Sequence, residues 1–340
     1  MSLPAPQHIH EIDLPSWLES LPDGRSFLLY DSGAQDKDRL FMFATDENLR
    51  LLSQYADWFA DGTFDVSPSL FHQVCTIHGL VHGKVLPLVY CLMTKRSQEA
   101  YGRVFRTLKE LCPRLSPQTL MMDFEVTAKR AFQSVFPTAK VTGCFFHLKQ
   151  SFVRRMQEEH LIVRYREDGD FRRRVSMIPA LAFVRPGDIA RGLEELQDDA
   201  PSTDDGLNKM FDYFERTYVG SSIGRSRSRR PALFPHDFWS CYERITEGLP
   251  RTNNHVESWH NAFQKSLGLH HPDTYKLVAA FLREQSLTEQ KLADVLRGEP
   301  QRSSKATYVR VAKNQSKLVE EYDQRCMLEY LRGVAQSFSL

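Results

Sequence analysis

The stretch Trp58-Phe59-Ala60-Asp61-Gly62-Thr63-Phe64-Asp65 is a short apolar run with a carboxylate set inside it. An ionised side chain in an apolar strand is costly unless it is paired or binds a metal. Asp61 is therefore the first candidate for chemistry. Two more strands follow, Phe71 to His78 and Val85 to Met93, joined through Gly79 and Gly83, which suit a tight reversal. Pro87 has no N–H to donate to a ladder, so the third strand is expected at a sheet edge.

Beyond this meander, Ala100, Val104, Phe105, Leu108 and Leu111 recur at the spacing of an amphipathic helix. Gln118 to Met122 predicts a fourth strand, ending at Asp123. A second helix follows with Val126, Ala131, Phe132 and Val135 on one face, then a short strand from Lys140 to Gly143. A helix starts near Phe145, with Leu148, Phe152 and Met156 inward. The order is β-β-β-α-β-α-β-α. Three meandering strands precede crossover helices that return parallel strands to one sheet, which is the topology of an RNase H-like α/β fold. The expectation is a mixed five-stranded sheet flanked by helices, with residues 56–153 as its first part.

Residues 1–55 read as a mixed segment, strand-like at Ser26–Tyr30 and Leu40–Phe43 and helical from Asp46 to Tyr55. Residues 154–250 read as an all-helical insertion, with helices near Asp188–Gln197 and Leu207–Tyr218. The core resumes at 251–300 with a helix over Asn253–Leu267 and a second helix capped by Asp273. Residues 301–340 form a helical tail.

If the first and fourth strands are neighbours, Asp61 and Asp123 meet at their tips. Two close carboxylates repel unless one takes a proton or a cation lies between them, and a divalent ion with oxygen ligands is one remedy. Glu257 supplies a third carboxylate on the helix after the insertion, and His260 shares its face. Taken singly, each acid also reads as a turn, a cap or a solvated helix face.

The run Asp61-Gly62-Thr63-Phe64 resembles the first motif of Mutator-like (MULE) transposases, and Asp123-Phe124-Glu125 resembles their second. Gly143-Cys144-Phe145-Phe146-His147 is similar to the C-x-x-H that follows the second aspartate there and in hAT transposases. Asn253-Asn254-His255-Val256-Glu257-Ser258-Trp259-His260 resembles the segment with the third acid. The resemblance implies that Asp61, Asp123 and Glu257 are DDE catalytic residues holding two Mg²⁺ or Mn²⁺ ions. It also implies that Cys144 and His147 are an accessory motif, and that Asn254 and His260 support the glutamate. Zinc is the alternative for the Cys144-x-x-His147 pair, although a structural site needs four ligands. The implied reaction is cleavage and transfer of DNA strands, with transposon ends and target DNA as partners. A homodimer or larger assembly and a nuclear location are expected with it. Two other readings are a domesticated, catalytically inactive copy that binds DNA or protein, and an RNase H-like nuclease acting on RNA or repair intermediates.

Composition bounds these readings. Apolar residues at 41% and charged residues at 26% describe a globular chain with few marks of disorder. A net charge of +1 argues against broad phosphate binding, but balanced totals can hide local basic runs, which read equally as phosphate grips or as solvated loops. Arg225, Arg227, Arg229 and Arg230 form one such run and Arg172-Arg173-Arg174 another. Trp239 and Trp259 are candidates either for stacking on an extruded base or for core packing. The six cysteines form no CxxC pair, which suits a reducing compartment. No apolar run approaches the roughly 18–20 residues that span a bilayer, and no secretory signal is expected from Met1-Ser2-Leu3-Pro4.

Overall fold

The structure, a computed structural model, describes residues 4–221, 229–298 and 306–340. The chain forms two compact units, Met1–Val141 with Asn253–Gln301 and Thr142–Thr252 with Arg302–Leu340. The first unit takes in the segment before the meander, and the second takes in residues 302–340.

The first unit opens with α1 (Ser16–Glu19), β1 (Leu28–Asp31), β2 (Leu40–Phe43) and α2 (Asp46–Gln54). Then come β3 (Asp57–Thr63), β4 (Gln73–Val81), β5 (Lys84–Met93), α3 (Gln98–Leu111), β6 (Thr119–Met122), α4 (Val126–Val135) and β7 (Lys140–Gly143). The strands make one mixed seven-stranded sheet in the order β1-β2-β5-β4-β3-β6-β7. Neighbours from β1 to β3 pair antiparallel, and β3 pairs parallel with β6.

The sheet has seven strands where five were expected, because β1 and β2 extend it past β5. All four residues of β2 are buried. A strand without polar alternation is one covered on both faces, and such a strand belongs inside a sheet. Its position also corrects the reading of Pro87, since β5 lies between β2 and β4 and not at an edge. The ladder takes up the missing donor at an irregularity. The register shifts between Ile77 and His78, where His78 faces Pro87, and a bulge is a place where proline is tolerated inside a sheet.

Side chains alternate between the two faces of the sheet. On one face, Trp58 meets Phe132 and Phe136 of the α4 region, and Phe132 meets Phe105 of α3. The opposite face is covered by α12 (Asn254–Leu267) and α13 (Thr274–Leu296). There Trp259, Phe263 and Phe281 form a stacked row against Phe43 and Tyr90. Asp273 caps α13 by accepting from the Lys276 N–H at 2.9 Å, as its sequence position predicts.

The second unit is helical. It contains α5 (Phe145–Glu158), α6 (Ile162–Glu167), α7 (Gly169–Ala180), α8 (Ile189–Asp199), α9 (Asp205–Phe214), α10 (His236–Trp239) and α11 (Tyr242–Thr246). It is completed by α14 (Ala306–Glu320) and α15 (Met327–Ala335). It begins at Thr142, ahead of the expected boundary at 154, because α5 packs Leu148, Phe152 and Met156 into this unit's core. From α15, Met327, Tyr330, Leu331 and Val334 are buried, and the Tyr330 hydroxyl donates to the Phe183 carbonyl at 2.6 Å. Among the described residues no helix is long and apolar enough to cross a membrane.

Candidate functional site

Asp61 lies within β3, opposite Thr76 of β4. Its neighbours Ala60 and Gly62 face α3 and α4, so Asp61 faces α12. The parallel ladder between β3 and β6 then decides which residue stands beside it. Asp57, Trp58 and Phe59 pair with Thr119, Leu120 and Met121, each pair 62 positions apart. Asp61 and Asp123 are separated by the same 62 positions. Carried just past the last pair, the register sets Asp123 alongside Asp61 on the same face.

The electrostatics agree with that placement. Burial, then the Asp61 and Glu125 carboxylates, push the Asp123 carboxyl up to about 7. Arg96 and the Glu125 backbone N–H pull the other way and are outweighed. Burial and the charges of Asp61, Glu125 and Asp123 also raise the thiol of Cys75, which stands opposite Gly62. Three carboxylates thus act on one small region of the sheet.

Each acid is held by named partners. Asp61 is nearly buried, with 9% of its side chain exposed; Oδ1 accepts from the Gly62 N–H at 2.9 Å, and Oδ2 lies 3.4 Å from His260 Nδ1. His260 Nε2 is 3.4 Å from the Thr76 hydroxyl, which is 2.9 Å from His78 Nε2. His78 meets the Trp259 ring edge-on, and Trp259 Nε1 donates to Glu284 at 2.9 Å. A chain of polar contacts therefore runs from Asp61 through α12 to α13.

On the α3 side, Glu125 accepts from the Tyr101 hydroxyl at 2.8 Å and from Thr127 at 2.9 Å, and pairs with Arg96 at 2.8 Å. Arg96 also lies 3.7 Å from Asp123. Gln73 Nε2 donates to the Tyr101 hydroxyl at 2.7 Å. Its amide oxygen would stand 2.8 Å from a Cβ at position 62. Glycine follows Asp61 because Gln73 closes on its backbone.

Glu257 is half-buried in the first turn of α12, where a carboxylate is favoured by the helix dipole. It precedes His260 by three residues and so lies on the same helix face. Asn254, the first residue of α12, is exposed, while the cap residue Asn253 is fully buried. The described contacts thus join Asp61 to His260, Asp123 stands in the field of the Asp61 charge, and Glu257 lies one turn away along α12.

The other candidates lie in the second unit. Cys144 caps α5 and is fully buried, and its sulfur lies within 4.8 Å of a His147 ring nitrogen. Arg229 is held by Glu215 at 2.9 Å and Glu194 at 2.5 Å, so its charge is already matched, whereas Arg230 is exposed. Arg225 and Arg227 lie outside the described residues. The second basic run is likewise tied down, with Arg173 and Arg174 on Asp170 and Arg174 also on Asp199. Both tryptophans belong to cores, Trp239 at 1% exposure and Trp259 at 8%. Arg96, Tyr101 and Thr76 were not picked out from sequence, because nothing in their local pattern marks them. Glu125, two positions after Asp123, was the available hint.

Set against known families, residues 58–151 match the model of the MULE transposase domain. That span starts on β3 and ends in α5, and it contains Asp61, Asp123, Cys144 and His147. No curated protein matches the chain.

Proposed function

We propose that this chain, which carries a Mutator-like transposase domain, cuts and joins DNA strands at a centre built on Asp61, Asp123 and Glu257. The observation that carries the reading is the β3–β6 register, which continues to Asp61 and Asp123, where burial first and then the Asp61 and Glu125 charges push the Asp123 carboxyl up to about 7. Repulsion of this kind is relieved by a shared cation. An all-oxygen carboxylate set suits a hard ion such as Mg²⁺ or Mn²⁺. When bound, such ions lower the pKa of a water or DNA 3′-hydroxyl and offset the charge that grows on the departing oxygen.

The protein's own part is to hold these groups still. Asp61 is fixed from two sides, by the Gly62 N–H and by His260, so its free lone pairs keep one direction. Thr76 holds the far nitrogen of His260, which sets the ring's orientation. Arg96 and Glu125 brace Asp123. Glu257 brings the third carboxylate from α12. An RNase H-like core for the first unit is supported by the internal strand order β5-β4-β3-β6-β7, three antiparallel strands followed by one parallel to β3. Transposon ends and target DNA are the partners that follow, with an assembly of two or more copies to join two ends. A nuclear location goes with this reading as part of the proposal.

The test is to incubate the full chain with Mn²⁺ and supercoiled plasmid, beside Asp61→Ala and Asp123→Ala variants whose folding is checked by circular dichroism. The expected result is nicking by the parent and a loss of at least about a hundred-fold in both variants, the scale seen when a transition-state charge loses its stabiliser. Nicking that survives in Asp61→Ala, or a parent that cleaves RNA–DNA hybrids and spares DNA, contradicts the proposal.

A further inference from the structure

With both candidate tryptophans buried in cores, an exposed aromatic ring beside the carboxylates takes their place. Phe64 follows Asp61 by three residues, in the loop after β3, and 40% of it is exposed. Its ring is fixed by its neighbours. The Arg96 guanidinium carbon lies 5.3 Å from the ring centroid, and the His72 ring meets it edge-on at 5.4 Å between centroids. Arg96 in turn pairs with Glu125 at 2.8 Å and approaches Asp123 at 3.7 Å. A continuous row therefore runs from a partly exposed aromatic ring, through a guanidinium, to Glu125 and Asp123.

We propose that Phe64, braced by Arg96, is a stacking platform for an unpaired DNA base next to the phosphate that reacts. This rests on the reading of the site as a DNA-cleaving centre. The reach is suitable: three residues of extended chain span at most about 10 Å, while successive nucleotides of a strand rise about 3.4 Å. A base a few positions from a phosphate held at Asp61 and Asp123 would be within reach of the ring. Every base has a π face, so such a platform tolerates any sequence. A flat ring can engage that face only where the base has left the duplex stack. A ring already held in place loses little freedom on binding.

The experiment measures binding of the full-length protein in Ca²⁺ to two fluorescent DNA probes. One is a short blunt duplex; the other is the same duplex with a single-stranded tail carrying 2-aminopurine at an unpaired position. The parent is expected to bind the tailed probe more tightly and to quench the 2-aminopurine. Phe64→Ala is expected to weaken binding of the tailed probe by about ten-fold and to leave the blunt probe unchanged. Phe64→Trp should retain the preference, while Phe64→Leu, which keeps the apolar bulk without the π face, should lose it. Equal binding of the two probes by the parent, or an undiminished preference in both Phe64→Ala and Phe64→Leu, overturns the platform and leaves the cleavage centre standing. Failure of the parent to bind either DNA removes the underlying reading and the platform with it.

Discussion

At the scale of single residues, the protein carries a carboxylate in a position unfavourable to its charge. The Asp123 carboxyl moves from 3.8 to about 7, chiefly through burial and then through Asp61 and Glu125. A carboxyl raised in the folded state binds its proton more tightly there than in the unfolded chain. Its contribution to stability is therefore complete below 3.8 and is lost as pH rises through about 7. Asp123→Asn removes that loss. In metal-free protein, the variant is expected to gain stability over the parent as pH climbs across this window. The gain should reach about 2 kcal/mol, below the full linkage value because 32% of the Asp123 side chain is in water. Urea titrations of both proteins at a series of pH values check this, and a pH-independent difference would count against the coupling. Asp61 and Asp123 were legible from sequence because charged groups inside apolar runs are rare and costly. Arg96 and Tyr101 were not, since a surface arginine and a helical tyrosine acquire meaning only from what folds beside them.

At the scale of elements, two features set the site: the parallel register of β3 on β6 and the tight packing of β4 across Gly62. The first was readable as an order of strands, and the constant offset of 62 positions gives it its effect. The second was hidden, because nothing in the run around Gly62 shows that Gln73 of the next strand presses on it. Gly62→Ala places a methyl 2.8 Å from the Gln73 amide oxygen. Gln73 is fully buried and bonded to Tyr101, so it cannot swing aside freely. The expected cost is about 1–2 kcal/mol, the range for an overpacked core. The pair Gly62→Ala with Gln73→Ala should cost less than the sum of the singles, because the clash is gone. Denaturation of the three variants measures it, and strict additivity would show that the two residues do not press on each other. Strand existence was similarly easy to read and strand neighbours were not. Leu40–Phe43 was recognisable as a strand, but its place inside the sheet depends on β1 and β5 closing on both edges. Pro87 misled for the same reason, since the bulge that accommodates it belongs to the pairing with β4.

At the scale of the whole molecule, sequence order and spatial grouping part company. The tail after 301 belongs to the helical unit that began at Thr142, far back along the chain. Local periodicity marks its helices but cannot say which core they fill. Met327, Tyr330, Leu331 and Val334 fill that of the second unit. Each large apolar side chain withdrawn from a core costs about 2–5 kcal/mol, and a whole domain is stable by only about 5–15 kcal/mol. A chain ending at Arg325 is therefore expected to lose protease protection across residues 142–252, read by limited proteolysis and mass spectrometry. Unchanged protection there would mean that α15 is dispensable.

The proposal that Asp61 and Asp123 share one cation is tested most directly by calorimetric titration of the full chain with Mn²⁺ at a pH above 7, since the Asp123 carboxyl is pushed up to about 7. Saturable binding is predicted, weakened at least about ten-fold by Asp61→Asn and by Asp123→Asn alike, as loss of a charged ligand from a divalent site requires. Binding equally strong in the parent and in both variants, or no binding to the parent at all, would contradict it.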